Sequence, residues 1–245
     1  MNLSGYTQVT GVQTQDYGST QLHPLGTIGR TRDGRVFRYV KAGAVALTVG
    51  DFIQSPAVVV NHLTLTPAAA AIGDSSVTVA LGATAATANQ YAEGYLMTAV
   101  TPGMGRTYQI SGHAAIASSG TGVFNLAPDE KIQIALTTSS RVHLLANPYN
   151  GVIQMPVTTA TGICVGVAVS AIPIGEFGWL QTKGLCCPLT DGTPALGAHV
   201  MVPGAVAGAA EIVVAAGTLI VAQFVGRMAM VGVDNVRNAV MLDID

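Results

Sequence analysis

Period-two alternation dominates the chain. Val77, Val79 and Leu81 alternate with Ser76, Thr78 and Ala80, and Ile132, Ile134 and Leu136 alternate with Lys131, Gln133 and Ala135. Val240, Leu242 and Ile244 alternate in the same way with Met241, Asp243 and Asp245. Successive side chains of a strand point to opposite faces, so each run predicts a half-buried strand. In Ile163, Val165, Val167 and Val169 the alternates are Cys164, Gly166 and Ala168, which predicts a strand packed on both faces. Asp33-Gly34 and Asp191-Gly192 are hairpin-type dipeptides beside β-forming residues. No long window places apolar residues at helical spacing, and the best helix candidate is the Ala-rich stretch from Ala83 to Glu93. The pattern predicts an all-β fold of β-barrel or β-sandwich units with Gly-rich turns.

Three segments look alike: Gly34 to Gly43, Gly94 to Gly103 and Gly175 to Gly184. Each holds an apolar or aromatic strand between two glycines, and the first and third run on to a second glycine turn, at Gly50 and Gly197. A repeated strand-turn-strand unit, with glycine where the backbone needs positive φ, accounts for this. The chain then divides in three. Residues 1–30 are polar, rich in Gln, Thr and Gly, and read as an extended N-terminal arm. Residues 31–150 form a first β domain, and residues 151–245 a second, opened by the turn-rich Asn147-Pro148-Tyr149-Asn150-Gly151.

Composition changes this picture mainly through charge. Asp, Glu, Lys and Arg make up 10% of 245 residues, against roughly 25% in an average domain. So neutral a surface predicts cover by partner chains, and hence an oligomer. The net charge of -2 carries no basic stripe, which removes the electrostatic support for direct nucleic-acid binding. The first ten residues have neither the basic nor the apolar region of a signal peptide. The apolar run from Gly204 to Gly226 is interrupted by Gly208, Glu211, Gly217 and Gln223. It reads as two strands joined near Ala216-Gly217 rather than as a membrane span. Cys164, Cys186 and Cys187 are an odd set with one adjacent pair, which reads as small buried hydrophobes made in a reducing compartment.

Motifs for chemistry are missing. His23, His62, His113, His143 and His199 stand at no metal-ligand spacing, and His143 falls on the solvated face of a strand. Gly73-Asp74-Ser75-Ser76 resembles an esterase nucleophile block, but a strand pattern follows it and a turn explains it. The glycine pairs at 103–105 and 120–122 lack the lysine and helix of a phosphate-binding loop. Asp243 and Asp245 share one face at a strand end, where solvation explains them better than a cation does. No catalytic residue, metal or cofactor is therefore expected. The residues expected at partner contacts are Leu3, Tyr6, Val9, Leu22, His23 and Pro24 on the arm, and Trp179. Trp179, the sole tryptophan, fits a core anchor and an interface hot spot equally well.

A resemblance rests on blocks between Tyr91 and Val202. These are Tyr91-Ala-Glu-Gly-Tyr95, Leu136-Thr-Thr-Ser-Ser140, Asn147-Pro-Tyr-Asn-Gly-Val152, Gly166-Val-Ala, Gly175-Glu-Phe-Gly-Trp-Leu-Gln-Thr-Lys-Gly184 and Asp191-Gly-Thr-Pro. In order and wording they resemble tailed-bacteriophage virion structural proteins of the capsid-decoration, or cement, type. The resemblance implies a non-enzymatic, often trimeric protein of the virion, made in the host cytoplasm, that binds the major capsid protein on the outer capsid surface. The alternative is a receptor- or carbohydrate-binding β-module of a phage fibre or tail. The thirteen aromatics are spread along the chain rather than clustered for sugar stacking, which speaks against that alternative.

Overall fold

A computed structural model describes residues 6–157, 159–212 and 222–245. The chain is nearly all β, with 41% strand and 3% helix, and contains barrel architecture and several sheets. It divides into two compact units. One consists of residues 1–57 together with 148–245, and the other is the single stretch 58–147. The sequential division at residues 30 and 150 is thus replaced by an insertion: the join at Asn147–Pro148 lies close to the expected one, but the first boundary falls at Ala57–Val58. Chain order gave no sign that residues before 58 pair with residues after 148.

The discontinuous unit is built on a closed ring of five strands. Val36–Ala42 pairs antiparallel with Phe177–Cys186, through registers such as Trp179 opposite Tyr39, and parallel with Asn150–Gln154. Phe52–Gln54 links Asn150–Gln154 to Cys164–Ala168, which returns to Phe177–Cys186. Val40, Ile53, Val152, Val165 and Leu180 fill one core cluster, together with Leu47 and Ile172. Every residue of Cys164–Ala168 is buried, because Val165 and Ala168 serve that cluster while Cys164 and Val167 serve another. The ten-residue strand Phe177–Cys186 belongs to two layers. Its last four residues pair with Val240–Asp243, which continues through Gln223–Met228 to His199–Val202 and Glu211–Ile212. Both strands expected around the 204–226 run exist, but each pairs with His199–Val202, on opposite sides of it. The expected join at Ala216-Gly217 lies outside the described residues.

The inserted unit is an antiparallel five-stranded sheet in the order Ser76–Ala80, Thr121–Leu126, Thr107–His113, Tyr95–Val100 and Arg141–Leu145. Segment 65–70 bonds to both edges. Leu65 and Val142 exchange two backbone hydrogen bonds, and the Ala68 N–H donates to the Thr78 carbonyl at 2.8 Å. The sheet thereby closes on itself, around Val79, Leu96, Ile110, Phe124 and Leu144. Two expectations fail here. Residues 131–136 form no strand; Ile132 and Leu136 are buried from an irregular segment. The stretch from Ala83 to Glu93 is a crossing of turns rather than a helix. Its backbone groups are bonded across, as where Ala86 and Ile116 exchange two hydrogen bonds.

One local device recurs in both units. Leu47, Ile116, Leu136 and Ile172 are each buried, form an isolated bridge, and stand five residues before a strand begins, at Phe52, Thr121, Arg141 and Phe177. Leu47 bridges to Ile172, so two copies of the device clasp each other. An apolar anchor with both backbone groups bonded fixes where the following turn delivers its strand. The look-alike glycine segments do become strands, 36–42, 95–100 and 177–186, and the first and third pair with each other.

Candidate interaction surfaces

The described part of the expected arm, residues 6–30, is folded onto its own unit. Thr7–Gln8 pairs parallel with Ile28–Arg30, which pairs antiparallel with Val36–Ala42 across the Asp33-Gly34 turn. Gly18 and Phe177 exchange two backbone hydrogen bonds, and the Leu22 N–H donates to the Tyr39 hydroxyl at 3.1 Å. Beneath lies a cluster of Val9, Phe37, Tyr39, Phe177 and Trp179. Tyr39 and Trp179 meet edge-on at 5.1 Å, and His23 packs 5.2 Å from Tyr39 and 5.5 Å from Trp179. The alternation on 36–42 and 177–186 creates this site: Phe37 and Tyr39 share one face with Phe177 and Trp179, and the arm covers it.

The expected contact residues therefore separate. Leu3 lies outside the described residues. Val9 and Trp179 are buried, 4% exposed each, and serve this cluster rather than an outside partner. The arm has strand partners close by in sequence, Ile28–Arg30 for Thr7–Gln8 and Val36–Ala42 for Ile28–Arg30, and one bridge to the distant Phe177. His23 is half-buried against the two aromatic rings, Tyr6 stands beneath the Arg30 guanidinium at 5.0 Å, and Leu22 and Pro24 are exposed.

A basic cluster escaped the sequence reading. Arg30, Arg32, Arg35, Arg38 and Lys41 hold five of the chain's eleven cationic residues. Acidic side chains pair with two of the five. Arg35 pairs with Asp33 at 2.8 Å, Arg38 with Asp245 at 2.7 Å, and Lys41 lies over the Phe177 ring at 5.4 Å. Asp243 pairs with Lys183 at 3.0 Å, so neither carboxylate of the last strand is free for a cation.

The largest exposed apolar side chains on regular structure lie on the outer face of the sheet beyond the ring. Leu185 stands opposite Met241, Met241 opposite Arg227, and Arg227 opposite His199. Leu185 is 53% exposed, Met241 51% and Phe224 48%. Lys183, His199, Phe224, Arg227, Met241 and Asp243 line a groove of about 750 Å³ on this face. Sequence alternation places Met241 on the outer face, but only register shows that it joins Leu185 and Phe224, 56 and 17 positions away. Met230, Val231, Val233 and Val236, on the following segment, are exposed too.

Titratable groups in the interior are bonded. Burial raises the Asp51 carboxyl above its ordinary value, while Gln154 Nε2 donates to it at 2.7 Å. Burial pushes the Cys164 thiol up to about 12 and the Cys186 thiol up to about 11. Cys187, expected inside, is exposed. In the inserted unit His62, Tyr91 and His113 form a buried cluster with Phe124. Among the described residues no three His, Cys, Asp or Glu side chains are grouped to hold a metal ion, and no helix is long and apolar enough to cross a membrane. Compared with protein-family models, curated proteins and solved structures, the chain matches none.

Proposed function

We propose that this chain is a non-enzymatic structural protein of a tailed-phage virion, working as a capsid-decoration subunit that binds the major capsid protein and its own copies. The observation that carries the reading is the outer sheet face of Leu185, Met241 and Phe224 in a chain with only 10% charged residues. About 25 cal/mol is gained per Å² of apolar surface removed from water, so such a face favours a partner. Closed rings suit the role, since they leave few free strand edges to pair at random. The blocks between Tyr91 and Val202 that resemble cement proteins supply the capsid as the setting.

Light scattering at tens of micromolar should return an oligomer, with a trimer expected. Met241→Lys, which places a charge in the centre of the face, should shift that mass toward the monomer without lowering the unfolding temperature. Cryo-electron microscopy of native particles should place the chain on the capsid lattice. A monomeric wild type and a chain found only on the tail would together refute the proposal.

A further inference from the structure

The inserted unit holds two histidines that hydrogen-bond through both ring nitrogens. His62 Nε2 lies 2.8 Å from the Thr84 carbonyl oxygen. A carbonyl only accepts, so Nε2 carries a proton. Nδ1 meets the Tyr91 hydroxyl. Burial pushes that hydroxyl up to about 12, so it keeps its proton. His113 Nδ1 donates to the Ala114 carbonyl at 2.8 Å, and its Nε2 accepts the Tyr91 backbone N–H at 3.1 Å. All four ring nitrogens are used, and the His113 ring, which accepts at Nε2, is neutral.

These bonds hold one piece of chain. Thr84 and Tyr91 both belong to the crossing from Ala83 to Glu93. Asn89 adds to the hold, since its N–H donates to the His113 carbonyl and its Oδ1 accepts the His113 N–H, both at 3.0 Å. A second proton on His113 would have to sit on Nε2, where a backbone N–H already points. Two donors would then face each other in a buried site, and an unmet buried donor costs about 1–3 kcal/mol.

We propose that His62, Tyr91 and His113 form an acid-sensitive latch: their hydrogen bonds hold the 83–93 crossing on its barrel while His113 is neutral, and protonation of His113 releases it. The titratable groups facing His113 are His62 from the 60–62 turn and Tyr91 from the crossing. Glu93 is the only charged residue of the crossing, and the flanking strands Tyr95–Val100 and Thr121–Leu126 carry no charged residue. Burial lowers the His113 imidazole below its ordinary value, with the neighbouring His62 acting in the same direction. The sign follows from this. The released form binds a proton more readily than the held form, so the hold is complete above about pH 6.5 and weakens as the pH falls below it. Release uncovers Tyr91 and Phe124, which are otherwise buried.

The test is amide hydrogen exchange on the full chain between pH 7.5 and 5, corrected for the intrinsic rate. Protection at residues 83–93 should fall by up to about tenfold per pH unit below 6.5, as one linked proton requires. His113→Gln, which can accept from the Tyr91 N–H but does not titrate, should flatten that dependence. If His113→Gln does not fold, nitrogen-resolved titration of the wild-type imidazoles decides, with His113 expected to take its second proton only below its ordinary value. Protection independent of pH, or a His113 that titrates at or above 6.5, would overturn the latch.

Discussion

Trp179 has no room to spare. A Cβ at Gly29 would stand 2.7 Å from its ring and 3.1 Å from Val9, so the arm passes over the indole at the distance that only glycine allows. Trp179→Ala should destabilise the discontinuous unit by about 3–5 kcal/mol, the usual loss for a large buried aromatic. Gly29→Ala should also destabilise it, because the indole cannot retreat without disturbing Tyr39. Urea titration of both variants checks this; an unchanged midpoint for either would mean that the arm adapts. The two readings of Trp179 as core anchor or partner contact were inseparable in the sequence, because both want a large apolar ring. Burial separates them.

Among the elements, the arm shows the largest gap between sequence and structure. Its apolar residues are sparse and follow no period, so pattern reading sees an extended tail. Its order comes from single placements: Val9 in the aromatic cluster, Gly18 bridged to Phe177, Leu22 bonded to Tyr39. Deleting residues 2–25 should therefore impair folding of the discontinuous unit, seen as a lowered unfolding temperature and loss of the Trp179 fluorescence shift. A deletion that unfolds like the full chain would return the arm to the extended, partner-contacting segment expected from the sequence. Strands with strict alternation, such as 76–80 and 240–243, were legible because each has one wet face. Residues 131–136 alternate as well, yet Leu136 spends its backbone bonds on a lone bridge to Ala70 and the strand starts only at Arg141. That spacing, an apolar anchor five residues ahead of a strand, was present four times in the sequence but carries no alternation to announce it. The outer face was half legible: period two marks Met241 as outward, and nothing in the chain's order says that Phe224 lies beside it.

At the scale of the whole molecule, one unit is contiguous and the other is closed from both ends of the chain. The ring needs Val36–Ala42 from before the insertion and Phe177–Cys186 from after it, whereas the inserted barrel has all its strands between residues 76 and 145. Residues 58–147 produced alone should unfold in one cooperative transition, and residues 148–245 alone should not. This arrangement also sets an order in time. Chains emerge from the ribosome N-terminus first, and domains fold as units when their residues are available. The inserted barrel is complete when Asn147 has emerged, while Val36–Ala42 still lacks its longest partner. For about forty further residues, roughly 2–8 s at typical synthesis rates, the first segment waits without the Phe177 and Trp179 rings that complete its cluster. Chains arrested with residue 180 just outside the ribosome should resist protease across 58–147 and be cut before residue 57. The inserted barrel therefore folds, or fails to fold, before the strands that close the ring have been made.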